Sequence, residues 1–232
     1  MLDRTDTKYW GPQPDSLGYI ASIISEGAQV LEVGPGHVPF SKATHFVDYK
    51  PGANIIMCDV QKSPLPFPDK YFDFVYCRHV VEDIVYPFNF LAEMSRVGKA
   101  GYIETPSVVA ELCRGIDGNT PPWRGYNHHH WFVWNDKGKL KLLKKYTYVE
   151  FLEFNDDNIT NILRSSPDHW NTHMLWDGAL DFEQVVTGVV CPEYPATITQ
   201  AAVDGIESTN HFLSKYRNGG LAQPDRAAGL AA

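Results

Sequence analysis

The stretch VLEVGPGHVPFSKATHFVD, residues 30–48, constrains the fold of this chain more than any other part of it. It consists of a short apolar run, a turn at Gly34-Pro35-Gly36, and a second apolar run that ends in Asp48. Short apolar runs that are stopped by glycine and proline are typical of strands buried in a parallel sheet. Open parallel sheets bind their ligands beyond the carboxyl ends of the strands. The glycine turn and Asp48 are therefore predicted to lie at a ligand site.

Similar apolar runs continue along the first half of the chain. They predict strands at 28–33, 44–48, 54–59, 72–80 and 100–106, with an amphipathic helix at 87–98. Short strands that alternate with helical or turn segments indicate a parallel sheet with helices on its faces. The expected fold class is therefore α/β.

The second half of the chain is less regular. Residues 128–145 predict a hairpin that turns at Asn135-Asp136-Lys137-Gly138, and 147–166 should be helical in part. Residues 197–219 predict a helix with apolar residues on one face, which ends at Gly219. We expect one domain over residues 1–218, in which 106–196 elaborates the substrate side as a hairpin and lid, and a disordered tail at 219–232.

Composition limits the classes of partner. The chain has 232 residues, 44% of them hydrophobic, and a formal net charge of −8, which disfavours nucleic acid as a partner. The one basic run, KGKLKLLKK at 137–145, alternates lysine with leucine, and we interpret it as the solvated face of a strand. No apolar run reaches the length of a membrane span and no signal-peptide pattern is present, so we expect a cytoplasmic protein.

The cysteines do not indicate a metal site. Cys58, Cys77, Cys113 and Cys191 lie far apart, and no pair has the short spacing of a zinc site. Cys58 and Cys77 fall in apolar runs, so buried free thiols are expected there.

The glycine turn does not fit a phosphate-bearing ligand. A dinucleotide site requires a third glycine at position 39, where the chain has Pro39, and an acid about 20 residues past the turn. Asp48 lies only twelve residues past Gly36. A P-loop is excluded too, because no Gly-Lys-Ser/Thr follows.

A ligand with a ribose but without a phosphate fits better. Asp48 is placed to accept both ribose hydroxyls, as an acid does after the second strand of a nucleotide-binding sheet. Glu32 is placed to attract a cationic amino group, and Asp59 to bind an exocyclic amine. S-adenosylmethionine carries an amine, a sulfonium and an adenosine, and is the cofactor that we predict.

Four ordered segments between residues 28 and 107 resemble the class I S-adenosylmethionine-dependent methyltransferases. These segments are VLEVGPG, FVD, CDVQKSPLPFPDKYFDFVYCRHVVED and RVGKAGYIETPS. The resemblance implies a Rossmann-like, doubly wound, mostly parallel sheet of seven strands with one late antiparallel strand, which LWDGALDFEQVV (175–186) or its neighbours would supply. The chain departs from the pattern at Val38, where a third glycine often occurs, and in a crossover shortened to about one turn at 40–43.

The resemblance also implies roles for the cofactor-binding residues. Glu32, Gly34 and Gly36 would border the methionine part and Asp48 would hold the ribose. Asp59 and Val60 would contact the adenine. Cys77, Arg78 and His79 would line the wall at the fourth strand.

Candidate catalytic residues come from the histidine run and from the ends of two strands. His128, His129 and His130 open a predicted strand, in which consecutive side chains point to opposite faces, so at most two share a face. That argues against a three-histidine metal site, and we predict no metal. His129 or His130 is instead a candidate base or substrate contact, with a polar strand edge as the alternative.

His79 and Glu104 end the fourth and fifth strands beside the same cleft. His79 either caps its turn or acts in catalysis, and Glu104 either contacts the substrate or bonds a nearby backbone amide.

The predicted function is methyl transfer from S-adenosylmethionine to a small molecule or a cell-surface glycan precursor. The glycan class rests on resemblance alone, through GYIETPS and a hairpin that contains His and Trp. Two alternatives stay open: a methyltransferase-like domain that binds the nucleoside without turnover, and an NAD-dependent oxidoreductase.

Overall fold

The computed structural model describes residues 14–117, 122–188 and 192–217. Its α-helices are α1 (Pro14–Ile23), α2 (Phe88–Val97), α3 (Val108–Leu112), α4 (Asp156–Ser165) and α5 (Glu193–Arg217). Its strands are β1 (Val30–Val33), β2 (His45–Asp48), β3 (Ile55–Met57), β4 (Phe72–Arg78), β5 (Gly98–Pro106), β6 (Trp131–Asp136), β7 (Lys139–Lys144), β8 (Asn171–Asp177) and β9 (Phe182–Val185). Short 3-10 turns lie at Val81–Asp83, Thr147–Phe151 and Pro167–Trp170.

The main sheet confirms the α/β class. Its strands follow the order β3-β2-β1-β4-β5-β8, and all neighbours are parallel except β5 and β8. Across the described ranges this sheet has six strands rather than the seven expected. The antiparallel strand is β8, so only the start of the predicted 175–186 segment belongs to it, while β9 joins a second sheet.

Both faces of the main sheet are covered, which explains why its central strands are mostly apolar. Successive residues of β4 point to opposite faces. Val75 and Cys77 pack in the cluster that includes Leu91 of α2. Phe74 and Tyr76 pack on the other face with residues of α1 and α5. This double burial explains the mostly apolar runs from which the strands were predicted.

The connection between β1 and β2 lacks a complete helix, as predicted. Residues 34–44 contain turns, bends and irregular backbone but no helix, and the Ala43 amide donates to the carbonyl oxygen of Phe40 at 3.0 Å. The Phe40 ring stacks on Tyr76 with centroids 4.2 Å apart and planes 8° apart. A single buried aromatic side chain thus covers part of the sheet face that a crossover helix would cover.

The second sheet has the order β6-β7-β9. β6 and β7 form the predicted hairpin, and its two-residue loop has positive φ at Lys137 (52°) and Gly138 (94°), as a type I′ turn requires. The predicted start of the hairpin is wrong. Residues 127–130 form a turn and an irregular stretch, and the strand begins at Trp131.

The remaining predictions are partly confirmed. α2 and α5 correspond to the two helices that were expected, and α4 to the partly helical segment, whereas α1 was not predicted. Among the residues described, Cys58, Cys77 and Cys113 are free thiols; Cys77 is buried as predicted and Cys113 is buried too, whereas Cys58 is only half-buried. No helix in the described ranges is long and apolar enough to cross a membrane. Cys191 and the tail at 219–232 lie outside the described residues.

Candidate functional site

The register of the main sheet brings several candidate residues to one edge. Val33 pairs with Val47 on one side and with Cys77 on the other, so the residues that follow these three positions lie at the same level. Those residues are Gly34, Asp48 and Arg78. Arg78 pairs in turn with Glu104 of β5. The carboxyl edge therefore brings together the candidates that sequence spacing placed at strand ends.

The two glycines of the turn differ in their surroundings. Gly34 has φ 73° and Gly36 has φ 54°, a region that disfavours residues with a side chain. A Cβ atom on Gly34 would lie 2.5 Å from the Val80 side chain. A Cβ atom on Gly36 would meet nothing within 4 Å. Close packing against Val80 thus explains why position 34 has a glycine, while the backbone at Gly36 borders open space.

Glu32 closes the glycine turn from inside the sheet. Its side chain is buried, and Oε2 accepts a hydrogen bond from the backbone amide of Phe40 at 2.8 Å. Burial raises the pKa of Glu32 to about 7, although the Phe40 amide and the charge of Arg78 act in the opposite direction. This geometry indicates that Glu32 stabilises the last part of the turn, at Phe40. A contact between Glu32 and a ligand amino group stays a prediction.

Asp48 and Asp59 both take part in local turns. Asp48 is half-buried at the end of β2, and its Oδ1 accepts from the Lys50 amide at 2.9 Å. Asp59 Oδ2 pairs with Lys62 Nζ at 2.6 Å, and this hydrogen bond lowers the pKa of Asp59. The Cys58 amide donates to the Asp48 carbonyl oxygen at 2.9 Å, so the segment that carries Asp59 is tied to the end of β2.

The wall at β4 differs in detail from the sequence expectation. The Cys77 side chain is buried in the core, and burial raises the pKa of its thiol well above the ordinary value. Only the backbone of Cys77 can therefore border a ligand. Arg78 Nε donates to Glu104 Oε1 at 2.9 Å, which ties the ends of β4 and β5 together. Val60 is half-buried and packs against the same core.

Glu104 is buried at the centre of a hydrogen-bond network. Asn171 Nδ2 donates to Oε1 at 3.0 Å, and the Tyr102 hydroxyl donates to Oε2 at 2.7 Å. The same hydroxyl oxygen lies 2.6 Å from His173 Nδ1, which must then be the donor in that contact. Burial opposes the charge of Glu104, yet His173 and Arg78 hold its pKa below the ordinary value. Its charge is compensated inside the protein, so a direct substrate contact stays a prediction.

His79 lies between two carboxylates at the same edge. Its backbone has φ 52°, and its amide donates to the Glu104 carbonyl oxygen at 2.8 Å. Its Nδ1 lies 3.2 Å from Glu82 Oε1, and its Nε2 lies 3.7 Å from Glu104 Oε1. These contacts favour the capping role for His79 over a role in catalysis.

His129 forms a buried pair with Glu111 of α3. Its Nδ1 lies 2.6 Å from Glu111 Oε1, while Lys145 Nζ lies 2.5 Å from the other carboxylate oxygen. Burial acts to lower the pKa of His129, but the charge of Glu111 outweighs it and raises that pKa. Burial opposes the charge of Glu111 as well, yet Lys145 and His129 lower its pKa to about 2.

His128 and His129 converge with Asp83 instead of pointing to opposite faces. His128 Nε2 lies 3.7 Å and His129 Nε2 lies 3.6 Å from Asp83 Oδ1. The alternation that was expected for a strand does not apply, because both histidines precede β6. His130 is half-buried, and burial together with the nearby charge of Lys144 lowers its pKa.

Four participants were missed by sequence reasoning. Asp83 was visible only as the end of HVVED, and Glu111 belongs to a short helix without any local signal. Asn171 and His173 were missed in the same way, because the pairing of β8 with β5 brings them to Glu104 from far along the chain.

Comparison with known proteins gives one family match. Residues 18–103 match the model of the family described as Methyltransferase domain. The search of curated proteins gave no significant match.

Solved structures with similarity include three from bacteria. One is a putative methyltransferase from Bacillus halodurans, at 22% identity over 42% of this chain and 52% of that chain, with a TM-score of 0.33. A possible histamine N-methyltransferase from Thermotoga maritima has 21% identity over 40% and 50%, with a TM-score of 0.33. A methyltransferase from Aquifex aeolicus has 19% identity over 52% and 80%, with a TM-score of 0.35. The chain spans about half the length of the first two.

Proposed function

We propose, from the match of residues 18–103 to the methyltransferase domain model, that the protein binds S-adenosylmethionine at the carboxyl edge of its main sheet. We further propose that it methylates a small molecule or a glycan precursor. Relatives in this family use S-adenosylmethionine as methyl donor. The observation that carries the proposal is that the Gly34–Gly36 turn and Asp48 lie side by side at the carboxyl edge of the main sheet. When bound, the cofactor supplies the electrophilic methyl group.

The side chains and backbone at this edge are of the chemical types that would bind the parts of S-adenosylmethionine. The backbone at Gly36 borders open space, as close approach of the methionine part requires. Asp48 lies at the end of β2, where a carboxylate accepts ribose hydroxyls in nucleotide-binding sheets. Asp59 and Val60 follow β3 and are assigned to the adenine. Arg78 and the Cys77 backbone complete the wall on the other side.

We assign the acceptor to the surface that the turn at Val81–Asp83 and the histidine segment form together. The His130 amide donates to the Glu82 carbonyl oxygen at 2.8 Å, which holds the segment beside the end of β4. The lowered pKa of His130 favours its neutral form at pH 7. A neutral imidazole can take the proton of an acceptor hydroxyl. We therefore assign the base to His130, and a positioning role to Glu104, His79 and the Glu111–His129 pair.

Calorimetric titration with S-adenosylhomocysteine and with NAD tests the cofactor assignment. We expect S-adenosylhomocysteine to bind and NAD not to bind. Asp48→Ala should weaken binding by about 1–3 kcal/mol, because the ribose hydroxyls would lose a charged, half-buried acceptor. Asp177→Ala is the matched control, since Asp177 ends β8 at the opposite edge of the same sheet. Binding of NAD alone, or equal affinity of Asp48→Ala and wild type, would contradict the proposal.

A second candidate function is nucleoside binding without turnover. It is favoured by one observation, the β1–β2 connection that contains turns instead of a helix. A methyl-transfer assay on pooled small-molecule and sugar-nucleotide acceptors separates the two candidates. Transfer of label from the methyl donor supports the enzyme, whereas tight binding with no transfer to any acceptor supports the second candidate.

A further inference from the structure

We propose that Asp83, His128 and His129 form a binding site for a divalent transition-metal ion, with zinc as the ion of best fit. One donor atom from each residue takes part, and the three atoms all lie within 4.8 Å of one another. Two imidazole nitrogens and one carboxylate oxygen are a common ligand set for zinc. Three protein ligands leave a coordination position for water or for an oxygen of a bound molecule, which is the pattern of catalytic rather than structural zinc sites.

The buried carboxylate of Glu111 supports the site independently. The contact of His129 Nδ1 with Glu111 Oε1, at 2.6 Å, requires the hydrogen of the neutral imidazole to lie on Nδ1. In this neutral form, which binding of a metal ion requires, Nε2 of His129 has its lone pair on the side of Asp83. Metal-binding histidines almost always donate their other ring N–H to a carboxylate or a carbonyl. Lys145 holds the second oxygen of Glu111, so the carboxylate is fixed from both sides.

Two contacts anchor the histidine segment to the turn that carries Asp83. The His130 amide donates to the Glu82 carbonyl oxygen at 2.8 Å, and Trp131 Nε1 donates to the Ile84 carbonyl oxygen at 2.9 Å. The two acceptors flank Asp83 in sequence, and the two donors directly follow His129. The backbone therefore brings the ligands together without a metal, as a preorganised site requires.

The donor types favour zinc over magnesium or calcium, and the distances between the donor atoms are compatible with zinc. Ligands about 2.0–2.1 Å from a tetrahedral ion lie roughly 3.3–3.4 Å apart. The two distances to Asp83 Oδ1, 3.6 Å and 3.7 Å, are only slightly longer. Asp83 and His128 are partly exposed, with 46% and 61% of their side-chain surface accessible, so small rotations can close the difference. Magnesium and calcium prefer oxygen ligands, and two imidazoles disfavour them.

The site lies close to the proposed cofactor edge. Val80, whose side chain packs against Gly34, directly precedes the turn Val81–Asp83. If the proposed function holds, the open coordination position is available to an oxygen of the acceptor, such as a hydroxyl or a carboxylate. This role rests on the proposed function, whereas metal binding itself does not.

The test is to titrate metal-stripped protein with zinc chloride in a calorimeter. A second titration uses cobalt chloride and monitors the visible absorption spectrum. We expect one zinc ion per chain and the absorption bands of a four-coordinate cobalt site. His128→Ala and Asp83→Asn should each weaken zinc binding by at least about tenfold, since the first removes one of three ligands and the second replaces a carboxylate ligand with a neutral amide. Both side chains are exposed enough for the variants to fold, which circular dichroism would verify.

His211→Ala is the matched control, because His211 is exposed on α5 and should leave zinc binding unchanged. Magnesium chloride should produce no binding heat. No zinc binding, or weak zinc binding that both ligand variants leave unchanged, overturns the proposal. Titration of the same samples with S-adenosylhomocysteine separates the two proposals. Zinc binding without binding of S-adenosylhomocysteine supports the metal site and counts against the proposed function. Binding of S-adenosylhomocysteine without zinc binding overturns the metal site alone.

Discussion

The carboxylate of Glu32 accepts the backbone N–H of Phe40 at 2.8 Å, and this bond closes the glycine turn between β1 and β2. The Phe40 ring in turn stacks on Tyr76 of β4. A turn that lacks a complete crossover helix is thus fixed by one buried hydrogen bond and one buried ring. Because Gly36 lies between the two bonded residues, the stability of the proposed cofactor edge depends on Glu32.

Glu32→Gln should make the protein more stable at high pH. The pKa of Glu32 is raised from its ordinary value of 4.5 to about 7, so folding favours its protonated form. Its contribution to stability is therefore fully present below pH 4.5 and is lost as the pH rises to 7. Glutamine keeps an acceptor for the Phe40 amide but cannot ionise. Urea unfolding should show a gain of about 1–3 kcal/mol for the variant at pH 8 and little difference at pH 4.5.

Glu153→Gln provides the control for that experiment, because Glu153 is exposed. Its difference from wild type should be small at both pH values. A gain for Glu32→Gln of equal size at pH 4.5 and pH 8 would show that ionisation of Glu32 is not the cause.

Gly34→Ala should destabilise the protein more than Gly36→Ala. Both residues have positive φ, which costs about 1–2 kcal/mol for alanine. At Gly34 the new Cβ would also lie 2.5 Å from Val80 Cγ2, and such overpacking costs about 1–3 kcal/mol more. Thermal and urea unfolding of both variants measures the difference. Adding Val80→Ala to each glycine variant should cost less in the Gly34→Ala background, and equal costs in both would contradict the clash.

The contrast between these two glycines shows what sequence reasoning could and could not reach. The Gly34-Pro35-Gly36 pattern predicted the turn and its place at the sheet edge, because glycine next to a short apolar run has few other uses. It did not reveal that Gly34 accommodates Val80, since that contact depends on how β4 lies beside β1. The parallel strands and the hairpin turn were predictable for the same local reason.

The candidate site was less predictable because its contacts cross the chain. The prediction that neighbouring histidines point apart used the period of a strand, and it failed because His128 and His129 lie before β6. Glu111 comes from a helix of five residues that carries no pattern of its own. The partners of Glu104 on β8 follow from antiparallel pairing between distant segments, which no spacing in the sequence encodes.

Tyr102→Phe should test the network around Glu104. The hydroxyl of Tyr102 lies between Glu104 Oε2 at 2.7 Å and His173 Nδ1 at 2.6 Å, and all three side chains are buried. Its removal leaves a buried carboxylate oxygen and an imidazole nitrogen each without this partner, which costs about 1–3 kcal/mol. Tyr71→Phe serves as control, because the Tyr71 side chain is 45% exposed. Equal unfolding free energies for Tyr102→Phe and wild type would mean that the network does not contribute to stability.

Glu111→Gln should reduce both stability and zinc affinity. The variant leaves the Lys145 ammonium, 2.5 Å from Glu111 Oε2, without its buried counter-charge, and breaking such a pair costs about 3–5 kcal/mol. It also replaces the carboxylate that orients His129, and loss of such a partner weakens metal binding by about 10- to 100-fold. Urea unfolding in the absence of metal measures the loss of stability. Calorimetric titration with zinc at low urea, where the protein is folded, measures the loss of zinc affinity. Glu207→Gln, an exposed position on α5, should change neither. A Glu111→Gln protein that is destabilised but binds zinc with unchanged affinity would limit Glu111 to a role in folding.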